Sequence, residues 1–418
     1  MVSTHAHRIS PMRRITLKPR DHWQALVEGR GFDFHTPRHP RTQRPEAYWV
    51  EDAMYVLTQR EVDTFYDATL MLNDLCYRVV EAVLGDDDLL RRFRIPPSWW
   101  AAVRASWRRG DKPFYGRMDF TLVGDTPKLL EFNADTPTTL YESAVAQWDR
   151  FEASPFKAQG MNQFASTHED MIRAWADPRR GLQGKTVHFA CLKNCPEDRG
   201  TVDYLQDLAI QGGLKTAFVH VEDIDITVDG RHLLDAGDGI IEVLFKLYPW
   251  EMMATDEFGR EIPALECVFI EPLWKIILSN KALLPTLWRL FPHCEYLLPA
   301  YFDDDGDSSL TDYVRKPIFG REGANITVVT PQGRVASGGD YGQEGFIRQQ
   351  YAPLPQFATA RGPVSTMVGV WLVGGVHDDP DEPKRNGRDK PTGLTLREDD
   401  GPITSDFARF VPHYFEPA

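Results

Sequence analysis

Residues 117–133 read RMDFTLVGDTPKLLEFN, and this stretch decides how the rest of the chain is interpreted. Two alternating runs, RMDFTLV and KLLEFN, flank the turn residues GDTP, a pattern typical of a β-hairpin. Because side chains alternate across a strand, Arg117 and Asp119 share one face, as do Glu131 and Asn133. If residues 124–126 form a three-residue turn, Asp119 pairs with Glu131 and Arg117 with Asn133. The sequence therefore predicts four polar side chains on one face.

The two adjacent carboxylates of this face repel each other unless a cation lies between them. Arg117 supplies part of that charge, and a divalent ion is the alternative. Asp, Glu and Asn oxygens are the hard donors that Mg²⁺ prefers, and Mg²⁺ usually completes its shell with water and nucleotide phosphates. From spacing alone, a salt-bridged exposed sheet face and a Mg²⁺ site are equally open.

Length and composition set the broad class. A chain of 418 residues with 42% hydrophobic residues predicts a globular protein of two or three packed subdomains. A net charge of −14 disfavours nucleic acid and anionic membranes as partners. The longest apolar run, residues 366–376, is too short to span a bilayer. Five cysteines without a CxxC pair predict reduced thiols and a cytoplasmic location.

The pattern of helices and strands divides the chain into four regions. We expect residues 1–14 to be a mobile tail and residues 15–180 to hold helices, dominant up to about residue 110, together with the hairpin. Residues 181–270 alternate strand, helix and strand, which predicts a small parallel α/β unit. Residues 271–418 begin with a predicted helix over 272–290 and continue as an antiparallel sheet. The expected fold class is α+β with a small α/β unit.

Two motifs are excluded by their spacing. GLQGKT, residues 181–186, resembles a P-loop, but Arg179 stands where the first glycine is required and the lysine opens a strand. DDDGDSS, residues 303–309, resembles a calcium loop, but its glycine register puts Tyr301 at the first ligand position. We interpret the first as a strand entry and the second as an acidic turn.

Two lysines and a glycine-rich loop offer a further set of phosphate ligands. Lys316 ends a predicted strand, and Gly320 and Gly323 follow before Asn325 enters the next strand. Such a loop can place backbone N–H groups over phosphate oxygens, although a plain glycine hairpin has the same pattern. Lys281, in SNKALLP, is either another phosphate ligand or an exposed helix lysine. Together with the hairpin cluster, these groups would form an ATP·Mg²⁺ site without a P-loop.

Six motifs resemble the synthetase domain of the glutathionylspermidine synthetases. They are, in order, FYGRMDF, LLEFNADTPTTLYE, SNKALLP, VRKPIFGREGANI, GFIRQQYAPLP and LREDDGPITSDFARFVPH, and the resemblance runs from about residue 12 to the end. It implies a circularly permuted ATP-grasp fold similar to that of eukaryotic glutathione synthetase. It also implies that ATP phosphorylates the glycine carboxylate of glutathione and that a spermidine amine attacks the acyl phosphate. The implied partners are ATP, two Mg²⁺ ions, a glutathione-like peptide and a polyamine-like amine.

The resemblance implies roles for individual residues. The Mg²⁺ ligands would be Asp119, Glu131 and Asn133. The ATP-binding residues would be Lys281, Lys316, Gly320, Gly323, Asn325, Gln349 and Gln350. The catalytic residues, facing the transferring phosphoryl group and the activated carboxylate, would be Arg117 and Arg397. The peptide substrate would lie near Thr136, Thr138, Glu197 and Asp198. Residues 320–325 and 377–393 are candidate lids that would keep water from the acyl phosphate.

The chain departs from the bifunctional members of that family. Those members carry an N-terminal amidase domain with a nucleophilic cysteine, whereas here helical sequence starts almost at once and no cysteine precedes Cys76. We therefore expect only the amide-forming activity. The substrates stay open, and the alternatives are a ligase for another carboxylate and amine, a catalytically inactive homologue and a kinase-like phosphotransferase.

Overall fold

The computed structural model describes residues 12–38, 43–306, 309–375, 389–405 and 408–418. Its central sheet joins two distant parts of the chain, because the hairpin lies directly beside a C-terminal strand. In spatial order its strands are Arg409–Phe410, Lys390–Asp399, Gly362–Val373, Tyr115–Val123 and Thr126–Asn133, with Gln356–Thr359 also paired to Gly362–Val373. All of these pairings are antiparallel. The predicted metal-binding hairpin is therefore held in place by the end of the chain.

The hairpin has the predicted pairing. Asp119 lies opposite Glu131, and Arg117 lies opposite Asn133. The other face belongs to the largest hydrophobic core, into which the hairpin places Met118, Phe120, Leu129 and Phe132. Burial of this apolar face stabilises the hairpin and fixes which way its polar face points.

The turn of the hairpin differs from the prediction. Val123 pairs with Thr126, so the connection has two residues and the predicted three-residue turn was wrong. A bulge restores the register, because Phe120 pairs with Leu129 and Leu130 is left as an extra residue. The bulge leaves the carbonyls of Leu129 and Leu130 available to side chains of another sheet.

The α/β unit is confirmed. A parallel sheet consists, in spatial order, of Val268–Ile270, Val243–Lys246, Thr186–Cys191 and Lys215–His220. Helix Pro196–Gln211 connects two of these strands. A small antiparallel sheet of Asp225–Ile226, Leu233–Leu234 and Ile240–Ile241 lies in the chain between strands Lys215–His220 and Val243–Lys246. No helix begins within residues 181–186, whereas a P-loop would lead into a helix.

The second half contains the predicted antiparallel sheet. Its strands, in spatial order, are Ala300–Phe302, Phe346–Gln350, Tyr313–Pro317, Thr327–Thr330 and Gly333–Ala336. We call this the lid sheet. The predicted lid at residues 377–393 falls mostly in 376–388, outside the described residues, and its last residues belong to strand Lys390–Asp399.

The two ends of the described chain meet in a fifth sheet. Arg13–Thr16 pairs antiparallel with Ala53–Thr58, which pairs parallel with His413–Glu416. Arg13 and Arg14, which we assigned to the tail, belong to this strand. The region up to residue 110 is thus less helical than predicted, because pairing with the C-terminus creates strands that the local pattern does not show.

The longest helix, Gln59–Leu84, begins with a capping box formed by Thr58 and Glu61. The other α-helices are Trp23–Glu28, Asp87–Arg92, Trp100–Arg109, Gln147–Glu152, Pro155–Ala158, Thr167–Ala176, Trp250–Met253 and Leu283–Leu290. A π-helical turn, Glu142–Ala146, precedes Gln147–Glu152. Short 3₁₀ turns are Pro97–Trp99, Pro178–Arg180, Val221–Asp223, Ile262–Ala264, Leu273–Ile276 and Asp303–Asp305. In the described ranges, no helix is long and apolar enough to cross a membrane.

The single helix predicted over residues 272–290 was wrong. The structure has a 3₁₀ turn, Leu273–Ile276, and a separate helix, Leu283–Leu290. Between them, Asn280 accepts the N–H of Ala282 at 2.9 Å and donates to the carbonyl of Phe93 at 2.6 Å. These bonds compete with helical hydrogen bonding, so the chain turns and presents the next residue, Lys281, to the hairpin.

Candidate active site

The polar face of the hairpin is organised around an arginine–aspartate pair. Arg117 donates from Nε to Oδ1 of Asp119 at 2.7 Å and from Nη2 to Oδ2 at 2.9 Å, a bidentate geometry. Asn133 donates from Nδ2 to Oδ2 of Asp119 at 2.9 Å and to Oε1 of Glu131 at 3.3 Å. One amide nitrogen therefore bridges oxygens of both carboxylates.

Lys281 brings a positive charge to the second carboxylate. Its Nζ lies 3.1 Å from Oε2 of Glu131 and also donates to the carbonyl of Gly320. Its backbone N–H donates to the carbonyl of Ile318 at 3.0 Å, which ties this segment to the lid sheet. Burial alone would raise the pKa of Glu131, but Lys281 and Lys316 outweigh it and lower the pKa to about 2. Glu131 is therefore an anion at neutral pH.

Asp119 has the opposite electrostatic balance. It is completely buried, and burial raises its pKa more than its partner Arg117 lowers it. The adjacent charge of Glu131 raises the pKa further. An additional cation would therefore stabilise the Asp119 carboxylate, because its charge is buried and lies beside that of Glu131.

Lys316 reaches the hairpin through the carbonyls that the bulge leaves free. Its Nζ donates to the carbonyl of Leu130 at 2.8 Å and to Oε1 of Gln349 at 2.8 Å. Gln349 donates in turn to the carbonyl of Leu129 at 2.9 Å. Burial lowers the pKa of Lys316 to about 8, opposed by the nearby carboxylates. Gln350, the next residue on the strand, is exposed and does not join this group.

The glycine loop, residues 320–325, has a backbone that requires its glycine at position 323. Gly323 has φ of 69°, and a Cβ there would lie 2.6 Å from the carbonyl oxygen of Thr404. Asn325, with φ of 51°, donates its backbone N–H to the carbonyl of Gly338 at 2.9 Å. The carbonyl of Gly320 accepts the Lys281 ammonium. The loop is therefore held against the same cleft as the hairpin.

Arg321 fastens the glycine loop to two other elements. It donates from Nε and Nη2 to Oε1 of Glu251 at 3.0 and 2.7 Å, and from Nη1 to Oγ1 of Thr136 at 2.7 Å. The lining residues of the resulting cleft include Glu131, Asn133, Thr136, Glu251, Lys281, Gly320 and Arg321. Thr136 thus lies where the hairpin, the loop and the α/β unit meet.

The other predicted substrate residues lie in two separate segments, the turn after the hairpin and a helix of the α/β unit. The carbonyl of Thr138 accepts Nη1 of Arg117 at 2.6 Å, while its side chain is exposed. Glu197 and Asp198 occupy the first turn of helix Pro196–Gln211. Burial raises the pKa of Asp198, opposed by Cys195 and by Arg321 of the glycine loop. Asp198 is therefore close enough to Arg321 to feel its charge, whereas Glu197 is exposed.

Arg397 approaches the hairpin from strand Lys390–Asp399. Its Nη2 donates to the carbonyl of Ser405 at 3.0 Å, and its buried Nε has no hydrogen-bond partner among the described residues. Burial raises the pKa of both Asp119 and Glu142, and the charge of Arg397 opposes that rise. A buried guanidinium N–H without an acceptor is suited to an oxygen of a ligand.

Two buried polar pairs beside this site were missed from the sequence. Lys246 donates from Nζ to Oδ1 of Asp135 at 2.7 Å, and both residues are buried. Tyr48 donates its hydroxyl to the buried carboxylate of Glu142. The sequence contains a sign of the first pair, because Lys246 ends the apolar strand VLFK and Asp135 comes just after the hairpin. A charged residue in an apolar context is the same pattern that identified the hairpin cluster.

The hairpin donors fit Mg²⁺, although they do not form a site of three acidic or histidine ligands. Throughout the described part of the chain, no group of three or more His, Cys, Asp or Glu side chains could hold a metal. Asp119 and Glu131 nevertheless contact the same Asn133 nitrogen at 2.9 and 3.3 Å, so one small cation could contact both. Hard oxygens of this kind, completed by water and phosphate, are the usual ligands of Mg²⁺.

Three proteins of known name are similar in sequence. A Haemophilus influenzae protein with the provisional name acid–amine ligase is 35% identical over 423 residues, covering 97% of this chain and 100% of the relative. The bifunctional glutathionylspermidine synthetase/amidase of Escherichia coli is 29% identical over 330 residues, covering 72% and 52%. Trypanothione synthetase of Crithidia fasciculata is 28% identical over 360 residues, covering 80% and 52%. The alignment therefore spans about half the length of the last two.

The fold has a solved counterpart in a glutathione synthetase-like effector from Globodera pallida in its apo form. The TM-score is 0.56 at 9% sequence identity, and the similarity covers 94% of each chain. At this identity the likeness shows the fold alone, which is glutathione synthetase-like and of mixed helix and sheet content, as expected. The family described as glutathionylspermidine synthase preATP-grasp matches residues 14–416. The chain therefore belongs to the glutathionylspermidine synthase family.

Proposed function

We propose that the protein is an ATP-dependent acid–amine ligase that activates a carboxylate as an acyl phosphate and transfers the acyl group to an amine. One observation carries the proposal. The carboxylates of Asp119 and Glu131 meet at the amide nitrogen of Asn133, while Lys281 contacts Glu131 and Lys316 bonds to the adjacent carbonyl of Leu130. Glu131, Asn133 and Lys281 line a cleft beside the glycine loop. Anionic and cationic groups arranged in this way suit a metal–nucleotide complex.

The hairpin and the lysines would bind the nucleotide. Asp119, Glu131 and Asn133 would hold Mg²⁺, which when bound neutralises charge on the phosphates. Lys316 donates from a fixed position because Gln349 and the hairpin carbonyls orient its ammonium. Lys281 would exchange its contact with Glu131 for a phosphate oxygen. Positioned cations of this kind contribute much of the catalysis in phosphoryl transfer.

The two arginines would act on the carboxylate substrate. Arg117 is oriented by Asp119, and Arg397 has a buried N–H without an acceptor in the described part of the chain. Both therefore can donate to oxygens that gain charge when the γ-phosphoryl group is transferred to the carboxylate. The glycine loop, anchored by Arg321 on Glu251 and Thr136, would exclude water from the acyl phosphate.

The proposed substrates are taken from the names of the relatives. We infer that the carboxylate is that of a glutathione-like peptide bound near Thr136, Thr138, Glu197 and Asp198, and that the acceptor is a polyamine-like amine. The fold would be the circularly permuted form of ATP-grasp, and the reaction would be cytoplasmic, consistent with five free cysteines. The second candidate is a ligase for another carboxylate and amine, because the name of the 35% identical relative specifies no substrate.

The test is ADP release with a panel of carboxylates, each with and without polyamines, followed by mass spectrometry of the product. We expect ADP release that depends on both substrates and an amide of their combined mass less water. Replacing the amine by hydroxylamine should trap the acyl phosphate as a hydroxamate. ADP release with phosphorylated but unjoined products would instead indicate a kinase.

The matched controls are two glutamate variants. Glu131→Gln should lower the rate of ADP release roughly 100-fold or more, whereas Glu152→Gln, on an exposed helix position away from the cleft, should not change it. Full activity of Glu131→Gln at saturating Mg²⁺ would contradict the assignment of the hairpin as the metal site.

A further inference from the structure

Thr139 has a backbone conformation that its side chain disfavours. Its φ is 68°, in the left-handed region, and it is the only β-branched residue with positive φ in the described part of the chain. It lies in the connection that leads from the hairpin to the next helix, and it is buried. A β-branched residue in this region is strained, and such strain persists only where the surroundings impose it.

The strained backbone turns Thr139 toward Arg117. Nη1 of Arg117 donates to Oγ1 of Thr139 at 3.0 Å and to the carbonyl of Thr138 at 2.6 Å. Nε and Nη2 of the same guanidinium donate to Asp119. The guanidinium is therefore held from two sides, by a carboxylate on its own strand and by the turn after the hairpin.

A directed chain of hydrogen bonds holds Thr139 in place. The indole Nε1–H of Trp371 can only donate, and it donates to Oγ1 of Thr395 at 2.7 Å. Oγ of Ser143 donates its single proton to the carbonyl of Thr139 at 2.6 Å. The 2.5 Å contact between Thr395 and Ser143 therefore has Thr395 as its donor. This chain of hydrogen bonds therefore runs from Trp371 through Thr395 and Ser143 to the carbonyl of Thr139.

Both ends of this hydrogen-bond chain contact Arg117. Trp371 lies opposite Arg117 in the sheet, and its ring centroid is 5.6 Å from the guanidinium carbon. A cation over this ring is favoured when it is buried, as Arg117 is. One residue, Arg117, is thus contacted both by the first donor of the chain and by the residue that the chain holds.

We propose that Thr139 is a positioning residue that orients the Arg117 guanidinium toward the transferring phosphoryl group. The inference rests on the proposed function, in which Arg117 acts on developing charge. Preorganised donors lose their effect when they are misplaced, because the protein must then reorient them during the reaction. Among the described contacts of Arg117 Nη1, the hydroxyl of Thr139 is the only side-chain acceptor, and the other acceptor is the carbonyl of Thr138.

The test compares two substitutions at this position. Thr139→Val keeps the shape and removes the acceptor, so we expect kcat to fall about tenfold while the KM for ATP changes less than about twofold. Thr139→Ser restores the hydroxyl and should keep kcat within about threefold of wild type. The control is Thr286→Val, which removes another buried hydroxyl, bonded to the carbonyl of Ala282, and should leave kcat unchanged. Unchanged kcat in Thr139→Val would overturn the proposal.

A second readout separates this inference from the proposed function. In a double-mutant cycle of Thr139→Val and Arg117→Met, thermal unfolding should show a smaller combined loss of Tm than the sum of the single losses. Additive losses would overturn the proposal. If wild type shows no ATP-dependent turnover with any substrate, the proposed function fails, and the unfolding cycle alone decides the contact between Thr139 and Arg117.

Discussion

Two glutamate–lysine pairs in this protein have the same chemistry and different surroundings. Glu271 and Lys275 lie four residues apart in the chain, with Oε2 and Nζ 2.7 Å apart. Glu131 and Lys281 come from different elements, with Oε2 and Nζ 3.1 Å apart. The first pair is 0% and 1% exposed, whereas Glu131 is 27% exposed. The comparison separates a pair that holds the fold from a pair that faces a cleft.

The Glu271–Lys275 pair is saturated by its protein partners. Glu271 accepts the backbone N–H groups of Phe114 and Tyr115, and Lys275 donates to the carbonyl of Tyr115. Burial raises the pKa of Glu271 more than these partners lower it. Every contact joins the start of the hairpin to the segment after the α/β unit. The pair is therefore structural, and it has no exposed oxygen to offer a ligand.

The Glu131–Lys281 pair retains partners that can change. Glu131 shares its second oxygen with Asn133, and Lys281 donates its other contact to the glycine loop at Gly320. Here lysine charge lowers the pKa of Glu131 to about 2 against the effect of burial. Burial of a charged pair does not by itself indicate function. A charged pair indicates function when it faces a cleft and several hydrogen-bond donors converge on it.

The largest expected effects come from neutralising each glutamate in turn. Glu131→Gln should lower the rate of ADP release by roughly 100-fold or more, because a charged ligand at the reacting phosphates is lost, with little change in unfolding. Glu271→Gln should lower the free energy of unfolding by about 3–5 kcal/mol, because Lys275 is left buried and unpaired. Urea unfolding and ADP release are measured on both variants. The comparison would be contradicted if Glu131→Gln mainly lowered stability and Glu271→Gln mainly lowered activity.

A smaller effect, on metal affinity, is expected when the ammonium group of Lys281 is removed. Lys281→Met should raise the affinity for Mn²⁺ in the absence of nucleotide by about tenfold, since the ammonium and the metal compete for Glu131. The same variant should bind ATP more weakly. Mn²⁺ binding is measured by electron paramagnetic resonance, with Lys275→Met as the control that should not gain metal affinity. Weaker Mn²⁺ binding by Lys281→Met would contradict the competition.

The pH dependence tests the second lysine. Burial lowers the pKa of Lys316 from 10.5 to about 8, so its charge is present below that pH and lost above it. We therefore expect kcat/KM for ATP to fall as pH rises through about 8. The unfolded chain holds this proton more tightly, so the Lys316 contribution to stability rises between pH 8 and 10.5. In Lys316→Arg the alkaline limb should disappear, and a limb that persists would assign it to another group.

The smallest effect separates two neighbouring glutamines. Gln349 is buried and holds Lys316, whereas Gln350 is exposed on the other side of the strand. Gln349→Ala should raise the KM for ATP about threefold to tenfold, because the lysine loses a hydrogen bond worth about 1 kcal/mol. Gln350→Ala should change the KM less than about twofold. Equal effects would place both residues at the nucleotide, as the sequence analysis expected.

The sequence predicted the hairpin cluster because strand alternation is a local property. Arg117, Asp119, Glu131 and Asn133 are separated by one residue on each strand, so the period of two places them on one face without tertiary information. The turn was wrong and the pairing right, because a two-residue turn with a bulge at Leu130 has the same register as a longer turn. That bulge supplies the carbonyl that receives Lys316.

Features that depend on distant contacts were not predictable in the same way. The helix predicted over residues 272–290 is broken where Asn280 bonds to Phe93, which is remote in the chain. Strand Arg13–Thr16 exists because it joins a sheet that contains the C-terminus. Lys246 and Asp135 form their pair only after the α/β unit packs on the hairpin. Their charges were visible in the sequence, but not their proximity.

The most direct test of the hairpin as a metal–nucleotide site is binding of Mn²⁺ together with a non-hydrolysable ATP analogue. It is measured by electron paramagnetic resonance and needs no knowledge of the carboxylate or amine. Wild type and Glu271→Gln, where it remains folded, should bind the complex with similar affinity, and Glu131→Gln should bind it roughly 100-fold more weakly. Equal binding by wild type and Glu131→Gln would contradict the central claim.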